Sequence, residues 1–116
     1  MEKVTDIQVA KKFLALKTSA ESRGIEFGLS LKKVRQILNT KKCFISGVKL
    51  NRIEKSPNQL TFDRIDNSKG YVDDNVVACS LSTNQLKADL TFKQIEMLYN
   101  AITKAINKNN VKSLVD

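Results

Sequence analysis

Apolar positions recur every three to four residues through the N-terminal third of the chain, then alternate, then return to helical spacing near the C-terminus. Residues 6–22 predict an amphipathic helix. Ile7, Ala10, Phe13, Leu14 and Ala20 share its inner face, while Lys11, Lys12 and Lys17 turn elsewhere. Thr5 or Asp6 can cap its start and Gly24 can end it. After a short extended link at Ile25-Glu26-Phe27, Ser30 reads as the N-cap of a second helix. Leu31, Val34, Ile37 and Leu38 point inward there, and Lys32, Lys33 and Arg35 point outward.

Cys43-Phe44-Ile45-Ser46-Gly47 predicts a strand entering a turn, and residues 51–59 a polar loop around Pro57. Leu60-Thr61-Phe62-Asp63-Arg64-Ile65 alternates and predicts a second strand, followed by turn chemistry at Asn67-Ser68-Lys69-Gly70. Asp74 or Asn75 then opens a helix carrying Val76, Val77, Leu81 and Leu86. Thr91-Phe92-Lys93-Gln94 is a capping-box pattern for a last helix with Ile95, Leu98, Ile102 and Ile106 as its stripe. The expected class is α+β, in the order helix, helix, strand, strand, helix, helix. With no internal repeat or interdomain linker, residues 1–116 read as one domain. Its parts are a basic helical region (1–42), a central unit (43–90), a C-terminal helix (91–110) and a frayed tail (111–116).

Charge adds a partner to this picture. The formal net charge is +8, distributed as +6 over residues 1–42, zero over 43–90 and +2 over 91–116. A neutral centre between basic arms suits a site that holds a cation and still attracts a polyanion, of which nucleic acid is the commonest. The chain shows no apolar run long enough to span a bilayer and no export signal, so a cytoplasmic protein with two free thiols is expected.

The chemistry concentrates in Asp63-Arg64-Ile65-Asp66, Gly70-Tyr71, Asp74-Asn75-Val76-Val77 and Asn84-x-x-Lys87. This order of motifs resembles the core of the HNH (ββα-metal, His-Me finger) endonucleases of phage type. The lead-in Ser22-Arg23-Gly24-Ile25-Glu26-Phe27 resembles a segment that precedes that core. The resemblance covers roughly residues 23–95. It implies two antiparallel strands and a helix around one divalent cation, flanked by helices. It implies Asp63 and Asn84 as metal ligands, oxygen donors suited to Mg²⁺ or Mn²⁺. It also implies a base- and loop-orienting role for Asn75, which by its own residue type serves equally as a helix N-cap. Lys87, one turn beyond Asn84, is then placed to contact phosphate, and Lys32, Lys33 and Arg35 to grip double-stranded DNA. Tyr71 reads as a packing residue.

Two departures stand out. The family's general base follows the metal-binding Asp, and here that position is Arg64; the chain contains no histidine. A guanidinium, with a pKa of about 12.5 or higher, cannot accept a proton from water. Arg64 then stabilises charge on the phosphate while Asp66 or the metal's own water activates the nucleophile, or it only binds phosphate in a site without turnover. Many relatives also carry a zinc clasp of two Cys-x-x-Cys pairs. The corresponding positions here are Cys43, Ser46, Ser80 and Thr83, and no structural zinc is expected because hydroxyls are poor zinc ligands. Packing of Cys43, Phe44, Cys79 and Leu81 is expected to replace it. Three functions follow: a metal-dependent DNA endonuclease or nickase, a DNA-binding or regulatory protein without turnover, and a protein-interaction module. The sequence leaves oligomeric state open.

Overall fold

In the computed structural model, residues 2–109 are described; the expected frayed tail at 111–116 lies outside them. The elements are α1 (Asp6–Ser22), β1 (Phe27–Gly28), α2 (Leu31–Leu38), β2 (Leu60–Arg64), β3 (Tyr71–Val72), β4 (Val76–Ser80), α3 (Leu81–Lys87) and α4 (Phe92–Asn109). Strand β2 pairs antiparallel with β4, from Leu60 opposite Ser80 to Arg64 opposite Val76, and α3 leaves β4 without a loop. This is the expected α+β architecture, a ββα unit flanked by helices.

Both N-terminal helices begin where their cap residues dictate. Thr5 Oγ1 accepts from Gln8 N, and Gln8 Oε1 accepts from Thr5 N, which closes a capping box. Ser30 Oγ accepts from Lys33 N to start α2. The inner face of α1 is rotated from the expected one. Val9 and Ala20 are buried and Lys12, Phe13 and Leu16 half-buried, while Ile7 and Leu14 are exposed. Lys12 is therefore part of the contact face: its ammonium lies 5.4 Å from the Phe62 ring centroid, and burial lowers its pKa. An aliphatic stem with a charged tip fills this position without disrupting the apolar pattern, so hydrophobicity alone misplaces the face.

Two further expectations are corrected. Cys43–Gly47 is a tight turn rather than a strand: Gly47 N donates to Cys43 O, Cys43 N donates to Val48 O, and Gly47 takes φ +74°. Residues 76–80 are strand β4, and the helix expected from Asp74 or Asn75 begins only at Leu81. The run Val-Val-Ala-Cys-Ser has the β-branched start and short side chains of a strand buried on both faces, a pattern that single-sequence periodicity does not separate from a helix. Leu86, placed inward by the helical reading, is exposed. Helix α4 is anchored through its first turn, where Phe92 stacks on Phe44 at 6.2 Å. Beyond that turn Leu98, Tyr99 and Ile102 are exposed, so the expected stripe is present but only Ile95 and Ile106 are half-buried.

The N-terminal helices are fastened to the ββα unit by a short parallel contact between β1 and β3. Tyr71 N donates to Glu26 O at 2.8 Å. Gly70 permits this approach, since a Cβ there would lie 2.4 Å from Glu26 O. At the other end of β3, Asp73 accepts from the Ser30 N–H and hydroxyl, both at 2.8 Å, and these bonds lower its pKa. Gly70→Ala is expected to destabilise the protein by about 2 kcal/mol or more, read by urea denaturation, because the clash is with backbone and cannot be relieved by a rotamer change. An unchanged urea midpoint would contradict the close approach.

Candidate active site

Strand β2 buries Phe62 in the core and carries Asp63 and Arg64 at its C-terminal end, at the end of the hairpin. Because α3 starts directly from β4, its residues Asn84 and Lys87 lie beside β2. Lys87 Nζ donates to Asp63 Oδ1 at 3.0 Å and to Arg64 O at 2.9 Å, with the lysine side chain only 1% exposed. Asp63 is itself buried, and its second oxygen, Oδ2, has no partner among the described residues. Asn84 is anchored through its amide nitrogen, which donates to Thr61 Oγ1 at 3.2 Å; Thr61 in turn donates to Cys79 O. Anchoring by Nδ2 leaves the Asn84 carbonyl oxygen available.

These groups open onto a pocket of about 170 Å³, room for roughly five waters. Its polar lining comes from Arg23, Asp63, Arg64, Asn67, Tyr71, Asn84 and Asp89. Arg23 is the C-cap residue of α1 and arrives through the β1–β3 contact. Its guanidinium donates to Tyr71 Oη at 2.7 Å and lies 5.7 Å from that ring's centroid. Arg64 lies 5.2 Å from the same ring, and its Nη1 donates to Asn67 O and Lys69 O. Tyr71 thus gathers two guanidinium groups at one rim. Lys87 cancels the charge of Asp63, so this rim makes the pocket attractive to phosphate.

Asn75 and Asp66 stand behind the pocket rather than in it. Buried Asn75 accepts from Asp66 N and donates to Asp66 O and Gly70 O, bracing the loop that carries Tyr71. It is an interior brace, and the N-cap alternative falls with the helix that was expected to start there. Asp66 Oδ1 accepts from the Ser68 hydroxyl and N–H; these bonds, with Lys69 and Arg64 nearby, hold its carboxyl below the usual range. It does not line the pocket, so the geometry gives it no role as a base.

Lys87 was expected at phosphate, and here the structure corrects the reading: its ammonium is enclosed by Asp63 and the Arg64 carbonyl and does not reach solvent. The α2 cations differ among themselves. Lys32 is exposed, Lys33 is half-buried near Asp73, and Arg35 is ion-paired with Asp6 and bonded to Val4 O, joining α2 to the start of α1. Sequence reasoning missed Arg23, Asp89 and the gathering role of Tyr71. The available signal for Arg23 was its place immediately before Gly24, which takes φ +65° and turns the chain from α1 into β1. Asp89 follows Ala88, whose φ of +46° is unusual for a residue with a Cβ and costs on the order of 1–2 kcal/mol.

The donor set fits a hard divalent cation. A buried carboxylate oxygen without a partner and an amide oxygen held by its own nitrogen are the ligand types that Mg²⁺ and Mn²⁺ take, with water filling the remaining positions. The positions that correspond to the relatives' zinc ligands hydrogen-bond within their own pairs. Ser46 N donates to Cys43 Sγ at 3.4 Å, and Ser80 Oγ donates to Thr83 Oγ1 at 2.8 Å. Cys43 and Cys79 are buried as expected, but Phe44 is exposed apart from its stacking on Phe92. Burial would raise the Cys43 thiol, but hydrogen bonds from Ser46, Ser80 and Ile45 outweigh it and bring the pKa down to about 6. Burial and the proximity of Cys43 and Asp63 push Cys79 up to about 12.

No family model matches the chain. It is 30% identical over 97 residues to an uncharacterized 29.0 kDa protein from the dda-modA intergenic region of Enterobacteria phage T4, a match covering 83% of this chain. The chain spans only 38% of that relative's length. Its fold is similar to that of the rare-cutting HNH restriction endonuclease PacI, with a TM-score of 0.60 and 17% identity over 90% of this chain and 82% of PacI. The fold is therefore HNH-like. No helix among the described residues is long and apolar enough to cross a membrane.

Lys87→Met is expected to destabilise the protein by about 3–5 kcal/mol, because it leaves the Asp63 carboxylate buried and unpaired. The double variant Asp63→Asn/Lys87→Met should recover most of that loss in the same urea titration; strictly additive losses would refute the coupling. Cys43 gives a separate expectation. Its depressed folded pKa contributes stability that is fully present above the ordinary thiol value near 9 and lost as pH falls through about 6. The wild-type urea midpoint should therefore rise from pH 6 to 9 by more than that of Cys43→Ala; parallel curves would argue against a thiolate.

Proposed function

We propose that this chain is a divalent-metal-dependent endonuclease or nickase acting on double-stranded DNA, with an atypical HNH-type site. One observation carries the reading: Asp63, whose buried Oδ2 has no partner among the described residues, lines with Asn84 a pocket rimmed by Arg23 and Arg64. A carboxylate oxygen held out of water without a partner is costly, and a cation removes that cost. The HNH-like fold and the similarity to a phage protein agree with a phage-encoded nuclease working in a host cytoplasm.

Asp63 and Asn84 hold the Mg²⁺ or Mn²⁺ ion, which when bound supplies Lewis acidity toward the phosphoryl oxygens. Arg23 and Arg64 bind the scissile phosphate and stabilise the extra charge of the pentacovalent phosphorus. Asn75 fixes the loop that presents Tyr71 and, through Tyr71, the two arginines. Lys32 and Lys33 contribute long-range attraction to the duplex, giving salt-sensitive binding.

The runner-up is an HNH-fold DNA-binding or regulatory protein without turnover, and the Asp63–Lys87 ion pair favours it. The lysine charge already neutralises the carboxylate and repels an incoming cation. Nicking of supercoiled plasmid in Mg²⁺ or Mn²⁺ separates the two. The nuclease reading predicts nicking that falls about 100-fold or more in Asp63→Asn and in Asn84→Ala, with DNA binding retained. Salt-sensitive binding with no nicking in either metal would leave the binding protein.

A further inference from the structure

The site as described lacks a proton acceptor. Arg64 occupies the position where a base is expected, the chain has no histidine, and Asp66 is held by Ser68 outside the pocket. The candidate acceptors along the pocket wall are few. Asp63 is bonded to Lys87, Asn67 and Asn84 are amides, and Tyr71 carries a phenol that accepts from Arg23 with two guanidiniums beside it. Asp89 remains. It is exposed and makes no ion pair or hydrogen bond among the described residues, and it lines the same pocket as Asp63, Asn84 and the arginine rim. The chain reaches it through Ala88, whose backbone lies at φ +46° and ψ −123°, directly past the end of α3.

We infer that Asp89 is the catalytic residue that takes the proton from the attacking water. The inference rests on the nuclease reading above. The water oxygen bonds to phosphorus as the bond from phosphorus to the leaving sugar oxygen breaks. The water proton passes to the Asp89 carboxylate and from there to solvent, and the leaving oxygen takes a proton from solvent. The charged groups that share the pocket with Asp89 are Arg23 from the end of α1 and Asp63 and Arg64 from β2, with the Tyr71 phenol from β3; Lys87 from α3 is bonded to Asp63. This arrangement divides the labour of a single missing histidine: phosphate binding goes to Arg64, and proton transfer goes to a carboxylate from the other end of the ββα unit.

Single-turnover plasmid nicking in Mn²⁺, with calorimetric Mn²⁺ titration of the same proteins, tests it. Asp89→Asn is expected to lower the nicking rate about 100-fold or more, the range general-base loss produces, with DNA affinity within about threefold of wild type. Its Mn²⁺ affinity should be unchanged, and added formate should restore part of the rate to Asp89→Ala. Asp89→Asn nicking within about threefold of wild type would overturn the inference and leave the nuclease reading standing. So would loss of the rate in Tyr71→Phe but not in Asp89→Asn. Loss of Mn²⁺ binding in Asp89→Asn would overturn it differently, making Asp89 a metal ligand. A wild-type protein that binds Mn²⁺ and DNA but never nicks would overturn the nuclease reading itself, and the inference with it.

Discussion

The ion pair between Lys87 and Asp63 is the constraint around which the rest of the site is arranged. Removing a carboxylate and an ammonium from water is costly, and the pair holds only because Lys87 also finds the Arg64 carbonyl. These two bonds join the last turn of α3 to β2. They also set the electrostatics. One carboxylate oxygen is neutralised and the other is left bare, so the pocket offers a cation a single strong donor with a positive charge already behind it.

A second layer of organisation comes from backbone rather than charge. Gly70 lets β3 approach β1, Asn75 pins the loop on which Gly70 lies, and Gly24 turns α1 towards the contact. The result is that Tyr71, which in sequence looks like a packing residue, becomes the surface on which two arginines from distant parts of the chain converge. In the turn at Cys43 the Ser46 N–H donates to the Cys43 sulfur, and the hydroxyls of Ser80 and Thr83 bond to one another.

The α+β class, the span of α1, the start of α2 and the strand at Leu60 were legible because cap residues and alternation are local signals. The motif around Asp63 pointed to the part of the molecule where the polar pocket lies. Three things were not legible, each for a physical reason. Val76–Ser80 has no period that separates a doubly buried strand from a helix, so β4 was read as helical. Lys12 and Lys87 were read outward because lysine usually is; a charged tip finding an aromatic face or a buried carboxylate depends on partners distant in sequence. Arg23 and Asp89 enter the pocket through a tertiary contact and a left-handed backbone step, neither of which periodicity encodes.

The bond from Arg23 to Tyr71 spans 48 residues, and this separation bears on how the pocket comes into being. The β2–β4 hairpin and α3 are contiguous in the chain and can form with short loop closures, whereas α1 must wait for a long one. A partly folded molecule with the hairpin made and α1 undocked presents Asp63, Asn84 and Arg64 but not the second guanidinium. The arginine rim is therefore completed by the slowest class of contact in the molecule. Competence of the pocket reports that the whole N-terminal region has docked, not merely that the core hairpin has formed.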